Sequence, residues 1–269
     1  MSKEVEYRDG WIVKSRKGGD SFRVLCFPFA GGGASVFAPW MAIESSDTEI
    51  CAVQLPGRES RIRERPFTDM KDLAKVTAWG IRPYLDRPFV FFGHSMGGLL
   101  AFEVSRVLQN NGGPLPCLLV TSACPAPQLP YAFQNIHDLP DGEFIDEIKK
   151  LQGKSSAALE NKDLLELVLP MLRADFTVVE TYSCESGDQL EVPILAIGGS
   201  DDLFVPSERI DGWRKQTAKQ YFQVSVLGDH FFLLVSPRTV FNLVMRFARE
   251  LAFRRWCQEE PAPRLHKNS

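Results

Sequence analysis

Residues 88–109, PFVFFGHSMGGLLAFEVSRVLQ, restrict the possible folds of this chain more than any other segment. An unbroken apolar run bounded by Pro88 and Gly93 leads into Gly93-His94-Ser95-Met96-Gly97, then directly into a helical pattern. That pattern stops at Asn110-Asn111-Gly112-Gly113, a strong helix terminator. A run that is apolar on both faces reads as a strand inside a parallel sheet. A strand that becomes a helix through G-x-S-x-G lifts its serine onto a strained turn above the sheet. Small residues are needed at 93 and 97, where neighbouring backbone leaves no room for a Cβ. The helix N-terminus favours negative charge developing near Ser95 Oγ. The plain alternative, a glycine-rich turn with an incidental serine, is disfavoured by the strand before it and the helix after it.

The rest of the chain repeats the strand-then-helix order. Strands are expected at 22–29, 49–55, 117–123, 192–199 and 221–228, with helical stretches at 35–44 and 69–85 and after the last two strands. Such alternation predicts an α/β fold, a mostly parallel central sheet with helices on both faces. The first 20 residues read as a polar leader and the segment from Gln258 as a frayed tail. Residues 125–190 break the alternation. They contain two helical patterns, one with Phe144, Ile145, Ile148 and Leu151 on one face, the other, from 163 to 180, apolar nearly all round. We read them as a helical lid insertion in a single domain spanning 1–269, with its core at about 20–124 and 191–256. An ordinary helical layer of the core is the competing reading.

Composition excludes several function classes. A net charge of -3 gives no reason to expect nucleic acid or an anionic membrane as partner. Six cysteines are scattered without metal-ligand or C-x-x-C spacing, so neither a disulfide framework nor a metal site is expected. Cys26, Cys51 and Cys117 fall in expected strands. The N-terminus lacks an apolar signal region and no stretch reaches the length of a membrane span, so a cytoplasmic location is expected.

A serine needs a base to become a nucleophile. Of four histidines, His94 adjoins Ser95 on a turn where neighbours point apart, His137 is in the insertion and His266 in the tail. His230 follows the last expected strand, which suits the chain order Ser…Asp/Glu…His of the α/β-hydrolase fold. The acid that orients the imidazole must follow a strand between Ser95 and His230. The strand at 117–123 offers none, whereas the strand at 192–199 runs into Ser200-Asp201-Asp202. Either aspartate fits, the other being a turn residue. The oxyanion formed on attack needs two fixed N–H donors. Met96 N–H, next after the nucleophile, is one; Ala30, in the glycine-rich loop 29–33 after the first core strand, is expected to supply the other.

Several segments together resemble the stand-alone type II thioesterases of fatty-acid, polyketide and nonribosomal-peptide synthesis. They are CFPFAGGGAS (26–35), QLPGRESR (54–61), FFGHSMGG (91–98), LPMLRADF (169–176), GGSDDLFV (198–205) and GDHFFL (228–233). The resemblance implies a G-x-x-D-x-x-V pattern for the acid, which Gly199, Asp202 and Val205 match, so Asp202 is preferred to Asp201. It further implies cleavage of acyl thioesters from the phosphopantetheine arm of an acyl or peptidyl carrier protein, without metal or cofactor, by a monomer. Leu172 and Phe176 in the apolar insertion are candidate contacts to the acyl chain. Arg58, Arg61, Arg63 and Arg65 crowd one loop; Arg58 is expected to pair internally with Glu59, and the other three are open to a role as a landing site for an acidic carrier. A general carboxylesterase or lipase, an acyltransferase, and a non-catalytic binding protein on the same scaffold are the competing functions.

Overall fold

The computed structural model describes residues 5–8, 10–15, 19, 21–43, 47–152, 162–185 and 187–259. Eight strands form one sheet: β1 (Val5–Arg8), β2 (Ile12–Ser15), β3 (Phe22–Phe27), β4 (Thr48–Val53), β5 (Phe89–His94), β6 (Leu118–Ser122), β7 (Ile194–Gly199) and β8 (Tyr221–Val226). Their spatial order is β1-β2-β4-β3-β5-β6-β7-β8. The six strands from β3 onward are parallel, and β1 and β2 are antiparallel additions at one edge.

Between and after them lie α1 (Ala38–Met41), α2 (Met70–Ile81), α3 (Met96–Asn110), α4 (Asp141–Gln152), α5 (Lys162–Glu180), α6 (Ser207–Asp211), α7 (Phe232–Val235) and α8 (Pro237–Glu259). Helix α2 begins where Asp69 accepts the Asp72 N–H at 2.9 Å, a side-chain N-cap. Period-2 alternation in the central strands separates two apolar layers. Leu25, Phe27, Phe91 and Leu119 join the side of α2 and α3; Val24, Cys26, Phe92 and Val120 join the side of α1 and α8. Each such fully buried side chain stabilises the fold by roughly 1.5–3 kcal/mol. Phe92, for example, lies against Trp40 with ring centroids 4.6 Å apart, and Trp40 in turn donates to the Pro237 carbonyl.

The sheet begins earlier than the core expected from residue 20. The supposed leader supplies β1 and β2, with Ile12 opposite Val53 and the Arg61 guanidinium lying 4.0 Å from the Trp11 ring. Four-residue strands show too little alternation to be read from sequence; β1, with Glu6 and Arg8, forms the sheet edge, which suits its charge, and β2 is paired on both sides. The expected helix at 35–44 is instead a 3₁₀ turn, Ala34–Phe37, followed by the single turn α1.

The described part of 125–190 contains α4 and α5 and no strand among its residues. The two helices share a separate apolar cluster of Ile136, Phe144, Ile148, Met171 and Leu172. The loop before α4 is tied to α5 by Glu180, whose buried carboxylate accepts the Ile136 and His137 N–H groups and bonds His137 Nδ1.

Candidate active site

Parallel strands deliver their following loops to one edge of a sheet, and in such folds the crevice at the carboxyl ends is the binding face. Ala30 follows β3, Ser95 follows β5, Asp202 follows β7 and His230 follows β8. The serine sits at φ 53°, ψ -120°, a sparsely populated conformation for a residue with a side chain. Close packing holds the turn in place. A Cβ at Gly93 would collide with the Gly97 carbonyl, and one at Gly97 with the carbonyls of Phe27 and Pro28.

His230 Nε2 lies 3.1 Å from Ser95 Oγ, and His230 Nδ1 lies 2.9 Å from Asp202 Oδ2. A carboxylate only accepts, so Nδ1 carries the proton and Nε2 is free to accept from the serine hydroxyl. Asp202 Oδ1 receives the Phe204 and Val205 N–H groups at 2.9 and 3.0 Å. Burial pushes the Asp202 carboxyl up, but the bond and charge of His230 and these two amides outweigh it, leaving its pKa below the ordinary 3.8. Asp201 is exposed, with its side chain beside Ser200 Oγ. The turn-satisfying role therefore belongs to Asp202 as well.

His94 does more than point away. It is buried, its Nε2 is 2.9 Å from the His230 carbonyl oxygen, and its Nδ1 is 2.9 Å from Ser122 Oγ. The carbonyl accepts, so Nε2–H donates and Nδ1 accepts the Ser122 hydroxyl proton. Sequence reasoning missed this tie between the residue before the nucleophile and the loop of His230. The signal was a histidine ending an otherwise apolar strand. His137 is held in the insertion by Glu180, and His266 lies outside the described residues.

Among the described residues neither the Ala30 nor the Met96 N–H has a hydrogen-bond acceptor, and both residues line the cavity at Ser95. The loop that carries Ala30 is braced from two directions. Asp175 of α5 accepts the Gly31 N–H at 2.8 Å, and Arg58 donates to the Gly32 carbonyl at 3.0 Å. Arg58 turns inward as expected, but its partner is Asp175, through two bonds of 2.8 Å, rather than Glu59. Glu59 instead receives the Ser35 hydroxyl. Asp175 escaped the sequence reading. The LPMLRADF segment (169–176) contains it, but nothing in that segment points to a partner 117 positions away.

A cavity of about 150 Å³ opens at Ser95 and His230. Phe29, Phe133, Phe204 and Phe231 line it near the reacting groups, and Leu151, Phe176, Val179 and Tyr182 bring the insertion into its wall. Phe176 is thus at the cavity. Leu172 is not: it is 4% exposed and packed in the apolar cluster between α4 and α5. Four positions separate the two residues, and of the two only Phe176 both packs against that cluster and lines the cavity. Arg61 is also committed internally, to Glu64, the Gln54 carbonyl and Trp11. Arg63 and Arg65 are exposed.

The model of the thioesterase domain family matches residues 22–247. The gramicidin S biosynthesis protein GrsT of Aneurinibacillus migulanus is 38% identical over 240 residues, 89% of this chain and 94% of that protein. Thioesterase PikA5 of Streptomyces venezuelae is 33% identical, over 83% of this chain and 80% of its own length. The solved structure of the type II thioesterase BorB from the borrelidin biosynthetic cluster matches with a TM-score of 0.83 at 31% identity, covering 90% of this chain and 99% of the other.

Proposed function

The chain belongs to the thioesterase domain family, and on that premise we propose that Ser95, His230 and Asp202 hydrolyse acyl groups from the phosphopantetheine arm of an acyl or peptidyl carrier protein. The protein is a serine hydrolase of thioesters on an α/β-hydrolase fold. The observation that carries the finer reading is the unbroken hydrogen-bonded line from Asp202 through His230 to Ser95 at the mouth of an apolar cavity.

The steps follow from that geometry. His230 Nε2 takes the Ser95 proton as Oγ attacks the thioester carbonyl. The oxyanion develops within reach of the Ala30 and Met96 N–H groups, which are unsatisfied in advance and need no reorganisation. Collapse of the tetrahedral species expels the pantetheine sulfur, which receives the proton from His230 and leaves as a thiol. Water then enters, gives a proton to His230 and attacks the acyl-serine ester; as the second tetrahedral species collapses, His230 returns that proton to Ser95 Oγ and the acid is released. Asp202 keeps the productive tautomer and stabilises the imidazolium throughout, without itself taking the proton. Phe176 and its neighbours shield the acyl chain from water, and the helical insertion acts as the lid of this cavity.

A general esterase on the same fold is separated by substrate. We expect steady-state hydrolysis of one acyl group to be fastest on the carrier protein, slower on coenzyme A and slowest as a simple ester, with all three lost in Ser95→Ala. Equal or faster turnover of the simple ester would remove the carrier from the account.

A further inference from the structure

A buried ion pair joins the loop after β4 to helix α5, outside the line of groups that moves protons. Asp175 and Arg58 are 1% and 4% exposed and meet fork to fork. Each also grips the glycine loop. Asp175 Oδ2 takes the Gly31 N–H, and Arg58 Nη1 gives to the Gly32 carbonyl. Gly31 itself sits at φ 82°, a left-handed conformation open to glycine. The peptide chain is therefore clamped one and two residues beyond Ala30.

We propose that Asp175 and Arg58 are positioning residues for the oxyanion hole, so that docking of α5 sets the loop carrying the Ala30 N–H. The inference rests on the reading of Ala30 and Met96 as the oxyanion donors. A donor accelerates the reaction only if it is already fixed where the charge will develop. A run of three glycines has little stiffness of its own, so the rigidity must come from a supporting shell. The bidentate pair supplies it: each partner neutralises the other and makes one further bond to the loop. Asp175 also immediately precedes Phe176, which lines the cavity. One segment of α5 thus forms both a wall for the acyl chain and the strut of the oxyanion loop. A chain that displaces α5 also displaces the Ala30 donor, which links fit in the cavity to rate at Ser95.

Charge removal at one partner strands the other in the interior, whereas replacing both with apolar residues of similar size is often tolerated. The test therefore compares Asp175→Asn, Arg58→Lys and the double variant Arg58→Met/Asp175→Leu, with Ala30→Pro as the control that deletes the N–H. Four readouts are taken: melting temperature, kcat on an acyl-carrier substrate, affinity for an acyl trifluoromethyl ketone, and affinity for a non-hydrolysable acyl thioether. The ketone forms a tetrahedral adduct with Ser95 and needs the oxyanion hole; the thioether needs only the cavity. We expect kcat and ketone affinity to fall together by about 10- to 100-fold in all three variants, with thioether affinity unchanged. The double variant should regain melting temperature and not kcat. Recovery of kcat with melting temperature, or loss of kcat without loss of ketone affinity, makes the pair a structural one and overturns the proposal. Full ketone affinity in Ala30→Pro overturns the oxyanion reading beneath it instead. Should the double variant fail to fold, a wild-type ratio of ketone to thioether affinity in Arg58→Lys overturns the proposal.

Discussion

Acidification from pH 7 to pH 5 tests how firmly the fold holds His94 between the nucleophile and its base. The ring is 1% exposed, with both nitrogens bonded and the His230 ring beside it. Burial first, and the proximity of His230 second, push its pKa from the ordinary 6.5 down to about 3, against the smaller raising effects of the His230 carbonyl and Asp202. The folded state therefore keeps His94 neutral while the unfolded chain binds a proton below pH 6.5. A depressed folded-state value stabilises the fold above pH 6.5, and that stabilisation drains away as pH falls from 6.5 toward 3. At about 1.4 kcal/mol per pH unit, the loss between pH 7 and pH 5 is about 2 kcal/mol, and the full loss is on the order of 5 kcal/mol. Asp202 and Glu49, whose pKa values lie below their ordinary 3.8 and 4.5, lose stabilisation only at lower pH, so this window isolates histidine. Urea unfolding followed by tryptophan fluorescence at pH 7, 6 and 5 measures the slope. His94→Gln keeps an N–H donor without a titrating group; it should be less stable at pH 7 yet lose about 2 kcal/mol less on acidification. Parallel slopes for wild type and variant would mean that the fold does not hold His94 neutral.

Steady-state kinetics should show Asp202→Asn losing about 10⁴-fold in kcat through the wrong His230 tautomer, while Asp201→Asn stays within about twofold, as an exposed surface change should; equal losses would reassign the acid. Phe176→Ala should shift the acyl preference toward longer or bulkier chains in a substrate panel. Leu172→Ala should instead cost roughly 2–5 kcal/mol of stability by leaving a cavity between α4 and α5, with an unchanged acyl profile. Reversing Arg63 and Arg65 to glutamate should slow turnover of carrier-bound substrate and flatten its salt dependence, with coenzyme A thioesters unaffected; no change with the carrier would remove these two residues from its docking.

The central architecture was legible because its strands are apolar on both faces and its breaks are glycine and asparagine clusters. Ser95 and His230 could be selected by chain order, and the structure brings them together with Asp202. Asp201 and Asp202 are indistinguishable in composition, and the choice depends on which side chain the turn buries. The strands at 5–8 and 12–15 were illegible because a strand only four residues long shows too few alternations among charged neighbours. Leu172 and Phe176 lie one helical turn apart on an apolar face. Whether such a residue meets a neighbouring helix or a cavity is decided by the tertiary path of α4, which leaves no periodic trace. Long-range polar ties escaped for a similar reason: Arg58 and Asp175 are 117 positions apart, and His94 meets His230 across 136.

The acyl-enzyme itself is the most direct test of the account. Rapid-quench mixing with an acyl-carrier substrate, followed by peptide mass spectrometry, should find the acyl mass on the peptide containing Ser95 within the first turnover. It should disappear in Ser95→Ala and persist longer in His230→Ala loaded with an activated acyl donor, where water is no longer activated. An acyl group found on another residue, or turnover with no acyl-enzyme and undiminished by Ser95→Ala, would contradict it.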